Sequence, residues 1–372
     1  MKTERLLSLD VFRGLTVALM ILVNNPGSWA HIHPPLRHAA WHGWTPTDLV
    51  FPFFLFAVGA AISLAFARRR AHGATPADLR RKIAVRTAAI FVVGLLLNGF
   101  PYTEPAHWRW WGVLQRIALC YGAAALVVVA TADTRRRLAV AGAALLAYEL
   151  LMRLPLVAGW GGGSFALADN FVRWVDLRWP GAAHLYAGAG VPFDPEGLVS
   201  TLPTVAGTLA GVFAGDLLRA PDPLAGRLRR LALAGVVATG TGLALGRLEP
   251  VNKQLWTVSY TVLTSGLAAL LLAACAWALD VRGWRRGTAP ALVFGSNALL
   301  AFVGSGLLAR VLALIRVDDG DAAVSLRTWL YRHLCAAWAG PVNGSLVFAL
   351  GTVVLWWALL RELHRRGIFV RI

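Results

Sequence analysis

The chain has 372 residues, of which 57% are hydrophobic and only 15% charged, and its formal net charge is +17. Soluble globular proteins carry about 25% charged residues; the deficit here extends along the whole chain, which argues against a separate soluble domain and predicts a single membrane domain over residues 1–372. A positive charge can indicate nucleic-acid binding, but these basic residues lie in short loops between apolar runs, where they report membrane topology instead.

Apolar runs long enough to cross a bilayer, which takes about 20 residues, occur about ten times. The predicted spans are 8–25, 46–67, 83–100, 111–131, 138–156, 198–218, 231–247, 257–279, 290–314 and 343–361. The sequence therefore predicts an all-α, polytopic membrane protein. No convincing cleavage site follows the first run, so we expect a retained helix and not a signal peptide.

The loops between these runs alternate in charge. One set, together with both ends of the chain, is rich in arginine, as in Arg68–Arg70 and Arg135–Arg137. The opposite loops, 26–45, 157–197 and 315–342, are longer, less basic and hold most of the histidines. The positive-inside rule places the basic loops and both termini in the cytoplasm.

The first span carries two ionisable residues, Asp10 and Arg13. Ionisable side chains inside a membrane segment are costly and are functional by default. Three positions apart on a helix, these two share a face and can pair. Arg116 is a second intramembrane arginine. Either Asp10 and Arg13 form a structural ion pair, or the arginines bind a phosphate-bearing ligand that enters from the cytoplasm.

Asn24 follows Arg13 by 11 positions, about 16 Å along a helix at 1.5 Å per residue. Beyond it, four histidines lie within twelve residues: His31, His33, His38 and His42. The last two are four positions apart, a spacing that permits metal binding on a helix. Pro34-Pro35 interrupts the run and no acidic or cysteine ligand has a familiar spacing, so we expect no metal. A single histidine between two spans suits general-base catalysis, but spacing does not identify which one.

Several segments resemble one family. They are Arg5-Leu6-Leu7-Ser8-Leu9-Asp10-Val11-Phe12-Arg13-Gly14, Val23-Asn24, His38-Ala39-Ala40-Trp41, Asp48-Leu49-Val50-Phe51-Pro52, Gly112-Val113-Leu114-Gln115-Arg116, Asp194-Pro195-Glu196-Gly197, Pro250-Val251-Asn252-Lys253, Leu255-Trp256, Ser259-Tyr260, Ser296-Asn297 and Gly367-Ile368-Phe369. In this order they resemble the heparan-alpha-glucosaminide N-acetyltransferase family, the lysosomal transmembrane acetyltransferases and their bacterial relatives. The resemblance covers nearly the whole chain.

The resemblance implies a transmembrane acyltransferase-like bundle in a bacterial inner membrane. Acetyl-CoA would enter from the cytoplasm, and the acceptor would be the amine of an amino sugar, similar to a terminal glucosamine, on the periplasmic side. The family's active-site histidine corresponds to His38 and its active-site asparagine to Asn24. A homodimer also resembles the family.

These implications lead to a predicted set of site residues. His38 would act as general base, or alternatively carry the acetyl group itself. Asn24 would either donate a hydrogen bond to the developing oxyanion or orient the acyl group. Asp48 would either orient His38 or cap a helix beside Thr47. The predicted acetyl-CoA site comprises Arg5, Ser8, Asp10, Arg13, Gln115, Arg116 and Arg366, with the arginines at the cytoplasmic mouth. The predicted acceptor site comprises Asp194, Glu196, Asn252, Lys253 and Trp256.

Two other functions fit the same pattern of polar residues. One is a transporter of amino sugars or their oligomers. The other is a membrane O-acyltransferase of cell-surface glycans. Binding of acetyl-CoA separates the enzymes from the transporter, and the position of the transferred acetyl group separates N- from O-transfer.

Overall fold

The computed structural model describes residues 6–102, 104–320 and 322–370, so that Arg5 of the predicted acetyl-CoA site lies outside the described residues. The described chain is almost entirely helical, which confirms the all-α prediction. Its helices are α1 (Leu7–Asn24), α2 (Val50–Ala71), α3 (Pro76–Gly99), α4 (Val113–Ala130), α5 (Thr134–Arg153), α6 (Phe171–Asp176), α7 (Thr201–Leu218), α8 (Leu224–Leu245), α9 (Val258–Ala276), α10 (Ala289–Ser296), α11 (Ala298–Leu314), α12 (Leu326–Leu330), α13 (Ala337–Ala339) and α14 (Pro341–Arg365). One antiparallel hairpin, β1 (Arg316–Asp318) and β2 (Ala323–Ser325), precedes α12.

Eight helices of the described chain are long and apolar enough to cross a membrane, and the α10–α11 pair would make a ninth if it counts as one span. This confirms a multi-pass membrane protein. Helix α5 coincides with a predicted span but is not among the eight, because arginines at both ends and Glu149 interrupt its apolar stretch. The count of about ten spans therefore stays a prediction.

Close contact between α2 and α7 depends on glycine. A Cβ atom on Gly59 would lie 1.9 Å from the carbonyl oxygen of Thr208, and one on Gly211 would lie 2.1 Å from that of Phe56. Small residues let membrane helices approach until their backbones touch, which increases dispersion contacts where the hydrophobic effect is absent. The loops that precede α2 and α7 are therefore attached to two helices in direct backbone contact.

The predicted span 290–314 is not a straight helix. It bends by 83° between α10 and α11, at Asn297, where the side chain bonds the C-terminal tail instead of continuing the helix. The Asn297 amide donates to the carbonyl of Ile368 at 3.2 Å and accepts from the backbone N–H of Val370 at 2.8 Å. The tail thus satisfies the side-chain amide of Asn297 at the bend. At the end of α10, Arg13 donates to the backbone carbonyl of Gly295 at 2.6 Å.

The long loops gather at the end of the bundle where α2, α4, α7 and α9 begin. Loop 157–197 packs Phe165, Phe171 and Phe193 against Tyr148 and Met152 of α5. Loop 26–45 is joined to the segment before α9 by a 2.7 Å hydrogen bond from the Gly43 N–H to the Val251 carbonyl. These contacts bring residues from distant parts of the sequence to one side of the helices.

Candidate active site

His38 and Asp48 form a hydrogen-bonded dyad in the loop between α1 and α2. Nδ1 of His38 lies 2.6 Å from Oδ1 of Asp48. The other carboxylate oxygen accepts from the backbone N–H groups of Ala39 at 3.1 Å and Thr45 at 2.9 Å. Because an ionised carboxylate can only accept, the proton of His38 lies on Nδ1. Its Nε2 therefore carries the lone pair that a general base needs.

Asp48 is the buried member of the dyad, and His38 is the accessible one. The side chain of Asp48 is 1% exposed, whereas that of His38 is 35% exposed. Asp48 also closes a capping box with Thr45 at the turn that leads into α2, and Tyr260 donates to the Asp48 carbonyl at 2.5 Å. The contacts that correspond to both alternatives for Asp48 therefore occur together, and its role in orienting His38 for catalysis stays a prediction.

The segment 250–257 lies beside this dyad. Lys253 is close enough to both Asp48 and Glu196 for its charge to act on the two carboxylates. The Asn252 side chain is fully buried and its amide reaches His42, with Nδ2 at 3.3 Å from Nδ1 of that ring. The structure thus places Asn252 and Lys253, two of the predicted acceptor residues, next to the loop that carries His38.

Asp194 and Glu196, both predicted for the acceptor site, are buried and pair with Arg109. Arg109 donates to both oxygens of Asp194 at 2.8 and 2.6 Å and to Glu196 at 2.5 Å. Burial opposes each charge, but the carboxylates raise the pKa of Arg109 and the nearby cations, Arg109 first, lower that of Glu196. Both acids are thus partners in an internal ion pair, and their role at the acceptor stays a prediction.

Arg116 also has a different environment from the one predicted. It is fully buried near the start of α4, donates to the carbonyl of Gly197 at 2.9 Å and to the Ser200 hydroxyl, and stacks on the Trp256 ring at 5.1 Å. These partners belong to the loop side of the bundle, and binding of acetyl-CoA by Arg116 stays a prediction.

Two more predicted contacts are packing residues. Trp256 is 2% exposed and lies edge-on to the rings of Phe51 and Tyr260, so it offers no free face to a sugar. Gln115 is buried against Gly94 of α3.

The remaining predicted donor residues lie around the start of α1 and the end of α14. Arg13 bonds Asp10 at 3.0 Å, so the predicted ion pair is present, and its side chain is 26% exposed. Ser8 is fully buried, and the exposed Arg366 pairs with Glu362 at 2.7 Å. Asn24 is the exposed last residue of α1; within the described chain it makes no hydrogen bond to His38.

The four histidines of the loop have four different partners. His31 contacts Ser28, His33 contacts Asn343, His38 contacts Asp48 and His42 contacts Asn252. Across residues 6–102, 104–320 and 322–370 no cluster of three or more histidine, cysteine or acidic side chains could hold a metal ion.

Arg109 and His42 were not among the residues predicted for the site. Arg109 stands alone among aromatic residues in Trp108-Arg109-Trp110-Trp111, just before an apolar run. A charged residue beside a membrane-spanning run usually pairs with a residue of opposite charge. This expectation was the signal that could have identified Arg109 as a partner of buried acids. The sequence could not distinguish His42 from the other histidines of the loop, because its partner Asn252 lies 210 positions away.

Comparison with known proteins supports the family resemblance. Residues 5–239 match the family model described as heparan-alpha-glucosaminide N-acetyltransferase, catalytic. The human protein named heparan-alpha-glucosaminide N-acetyltransferase is 28% identical over 357 residues, 81% of this chain and 52% of that protein. The mouse protein of the same name is 28% identical over 359 residues, 82% of this chain and 54% of that protein. The chain thus spans about half the length of these relatives. Because the family model matches more than half of the 372 residues, the chain belongs to the heparan-alpha-glucosaminide N-acetyltransferase family.

Proposed function

We propose that this protein transfers an acetyl group from acetyl-CoA to the amine of an amino sugar, as a single membrane domain with His38 as general base. The observation that carries the proposal is the dyad: Asp48 is held by two backbone N–H groups and orients His38, whose ring is accessible. In this arrangement Nε2 of His38 accepts the proton of the acceptor amine while a C–N bond forms and the thioester C–S bond breaks. His38 then passes the proton to the leaving sulfur.

The proposed direction is from a cytoplasmic donor to a periplasmic acceptor. The basic residues Arg68–Arg70 end α2, whereas the His38 loop precedes it. The positive-inside rule assigns the basic end, with both termini, to the cytoplasm of a bacterial inner membrane. Acetyl-CoA is charged and is made in the cytoplasm. Its phosphates would therefore bind at the cytoplasmic end of the bundle, near the partly exposed Arg13, because a guanidinium matches phosphate geometry.

Asn24 is proposed to donate a hydrogen bond to the thioester oxygen as negative charge develops on it. It ends α1 immediately before the loop that carries His38, and its amide is exposed. Lys253 and Asn252 border the acceptor side of the same loop. A homodimer, which the resemblance implies, is proposed with this function and is tested by the mass of the detergent-solubilised protein.

The test is acetyl transfer by the purified full chain in lipid nanodiscs. Radiolabelled acetyl-CoA is incubated with glucosamine, galactosamine and a glycan that carries hydroxyls but no amine. We expect labelled N-acetyl sugar from the wild type and a loss of about 10² to 10⁴-fold in His38→Ala. His31→Ala is the matched control, since His31 is an exposed histidine of the same loop whose ring bonds the Ser28 hydroxyl.

Four results would contradict the proposal. Full activity of His38→Ala excludes His38 as base. Label on a hydroxyl oxygen of the amine-free glycan supports O-acylation instead. Transport of unmodified sugar without binding of acetyl-CoA supports the transporter. Radiolabelled protein recovered from acetyl-CoA alone would replace direct transfer with a route through acetyl-His38.

A further inference from the structure

The orientation of the Asn252 side chain is determined by its hydrogen bonds. Its Oδ1 accepts the backbone N–H of Leu255 at 2.8 Å, so the oxygen end of the amide is identified by a donor that cannot be reversed. The other end, Nδ2, is therefore the amino group, and it lies 3.3 Å from Nδ1 of His42. Since Asn252 is fully buried, this arrangement is held by the surrounding segment.

This contact determines the tautomer of His42. An amide N–H₂ group only donates, so Nδ1 of His42 must accept, and the ring proton must lie on Nε2. Partial burial lowers the pKa of His42 below its ordinary value, which keeps the ring neutral at pH 7. His42 is thus a neutral hydrogen-bond donor through Nε2, whereas His38 is an acceptor through Nε2.

The two rings lie on the same short, anchored loop. Between them, Trp41 donates to the carbonyl of Phe165 at 2.8 Å and packs on the Phe193 ring at 5.3 Å. After them, Gly43 is bonded to the segment that holds Asn252 and Lys253. His42 itself is exposed. Lys253 is close enough for its positive charge to act on the carboxylate of Asp48, the partner of His38. His38 and His42 therefore belong to one loop that is anchored beside Asn252 at the end of the bundle.

We propose that His42 binds the acceptor, with its Nε2–H donating to a hydroxyl or ring oxygen of the amino sugar, and that Asn252 is the positioning residue that holds His42 in this tautomer. The inference rests on the proposed function and extends it by assigning a residue for sugar recognition. A neutral imidazole N–H is sufficient for this task, because the oxygen that accepts its hydrogen bond is uncharged.

The experiment measures glucosamine affinity for the full chain in nanodiscs without acetyl-CoA, by saturation-transfer difference NMR, together with the KM for glucosamine in turnover. His42→Ala removes the donor and should weaken both by about three- to tenfold, the effect of one hydrogen bond, with the KM for acetyl-CoA unchanged. His42→Gln retains an N–H donor and should recover part of the loss.

Asn252→Asp is the sharper variant, since it keeps the size of the side chain and the acceptor for Leu255. Its carboxylate would require the proton on Nδ1 and thereby remove it from Nε2. Glucosamine binding should weaken at neutral pH and recover at acid pH, where both ring nitrogens carry protons. The double variant His42→Ala, Asn252→Asp should show no such recovery.

The outcomes separate this inference from the proposed function. If glucosamine binds but no acetyl is transferred, the proposed function fails. The glucosamine affinities of the His42 and Asn252 variants then still decide the role of His42. If His42→Ala binds glucosamine as tightly as the wild type, or if the pH dependence of Asn252→Asp is unchanged in the double variant, the role of His42 is overturned. A wild type that binds no amino sugar overturns both.

Discussion

At the scale of single residues, the buried charges of this site are paired across long stretches of sequence. Arg109 binds acids 85 and 87 positions away, and the carboxylate of Asp48 is held by residues of the loop before it. A buried ion left without its partner costs several kcal/mol, so these pairs keep the loops in one arrangement. The accessible ring of His38 is the exception, and its partner orients it without covering it.

Asp48→Asn tests whether orientation of His38 matters for turnover. If the new amide oxygen accepts the Ala39 and Thr45 N–H groups, its N–H₂ faces Nδ1 of His38 and moves the ring proton to Nε2. The base then lacks its lone pair, and we expect acetyl transfer to fall by about 10² to 10⁴-fold with the protein still folded. Initial rates and melting temperature measure the two effects.

Asp78→Asn is the matched control for this variant. Asp78 closes an equivalent capping box with Thr75 at the start of α3, and it is exposed and far along the chain from His38. Loss of a cap costs about 1 kcal/mol, so a small drop in stability with normal turnover is expected. A normal rate in Asp48→Asn would show that orientation by Asp48 is dispensable.

Asp176 provides a prediction about pH and stability. One of its oxygens accepts the N–H of Leu198 at 3.3 Å, and the other is buried without a hydrogen-bond partner among the described residues. Burial, followed by the charge of Asp194, raises the pKa of Asp176 from 3.8 to about 8. The folded state therefore holds a proton that the unfolded state releases. This contribution to stability is complete below the unfolded pKa and is lost as pH rises through about 8.

We accordingly expect the melting temperature of the wild type to fall between about pH 5 and about pH 8.5 and that of Asp176→Asn to fall less. At the higher pH the variant should be the more stable protein by about 1–2 kcal/mol, because it no longer ionises a buried group. Asp222→Asn, at an exposed carboxylate paired with Arg230, should leave the slope unchanged. Equal slopes for wild type and Asp176→Asn would contradict the pKa assignment.

At the scale of elements, the contact between α2 and α7 depends on the absence of side-chain atoms. Gly211→Ala places a methyl group 2.1 Å from the Phe56 carbonyl oxygen, and backbone cannot rotate away as a side chain can. We expect destabilisation by about 1–3 kcal/mol, measured as a lower melting temperature in detergent. Gly240→Ala in α8 meets no atom within 4 Å and should be neutral or stabilising. Equal melting temperatures for the two variants would contradict the close-packing argument.

Helices were the part of the fold that the sequence predicted best. Every predicted span coincides with a helix, because a long apolar run in a bilayer must satisfy its own backbone hydrogen bonds. The bend at Asn297 was missed, since hydropathy continues across it and its cause lies in the tail, more than 70 positions later. The partners of Arg116 were missed for a related reason: Gly197 and Ser200 are more than 80 positions away.

At the scale of the whole molecule, the His38 loop and the basic residues occupy opposite ends of α2. This helix has 22 residues, which corresponds to about 33 Å at 1.5 Å per residue, the thickness of a hydrocarbon core. A reaction at His38 with a donor held at the basic end therefore requires the donor to extend through the protein. The proposed transfer across the bilayer depends on this separation and on which end faces the cytoplasm.

Labelling of single cysteines determines that orientation directly. His31→Cys lies in the loop of His38, and His72→Cys follows the arginines at the end of α2; both positions are exposed. With a membrane-impermeant maleimide, we expect the first to react in right-side-out vesicles and the second only in inside-out vesicles. The native chain is the control, since Cys120 and Cys335 are buried and Cys275 is partly buried. If both positions react from the same side, His38 and the basic loops share one compartment, and acetyl transfer would then need no passage across the membrane.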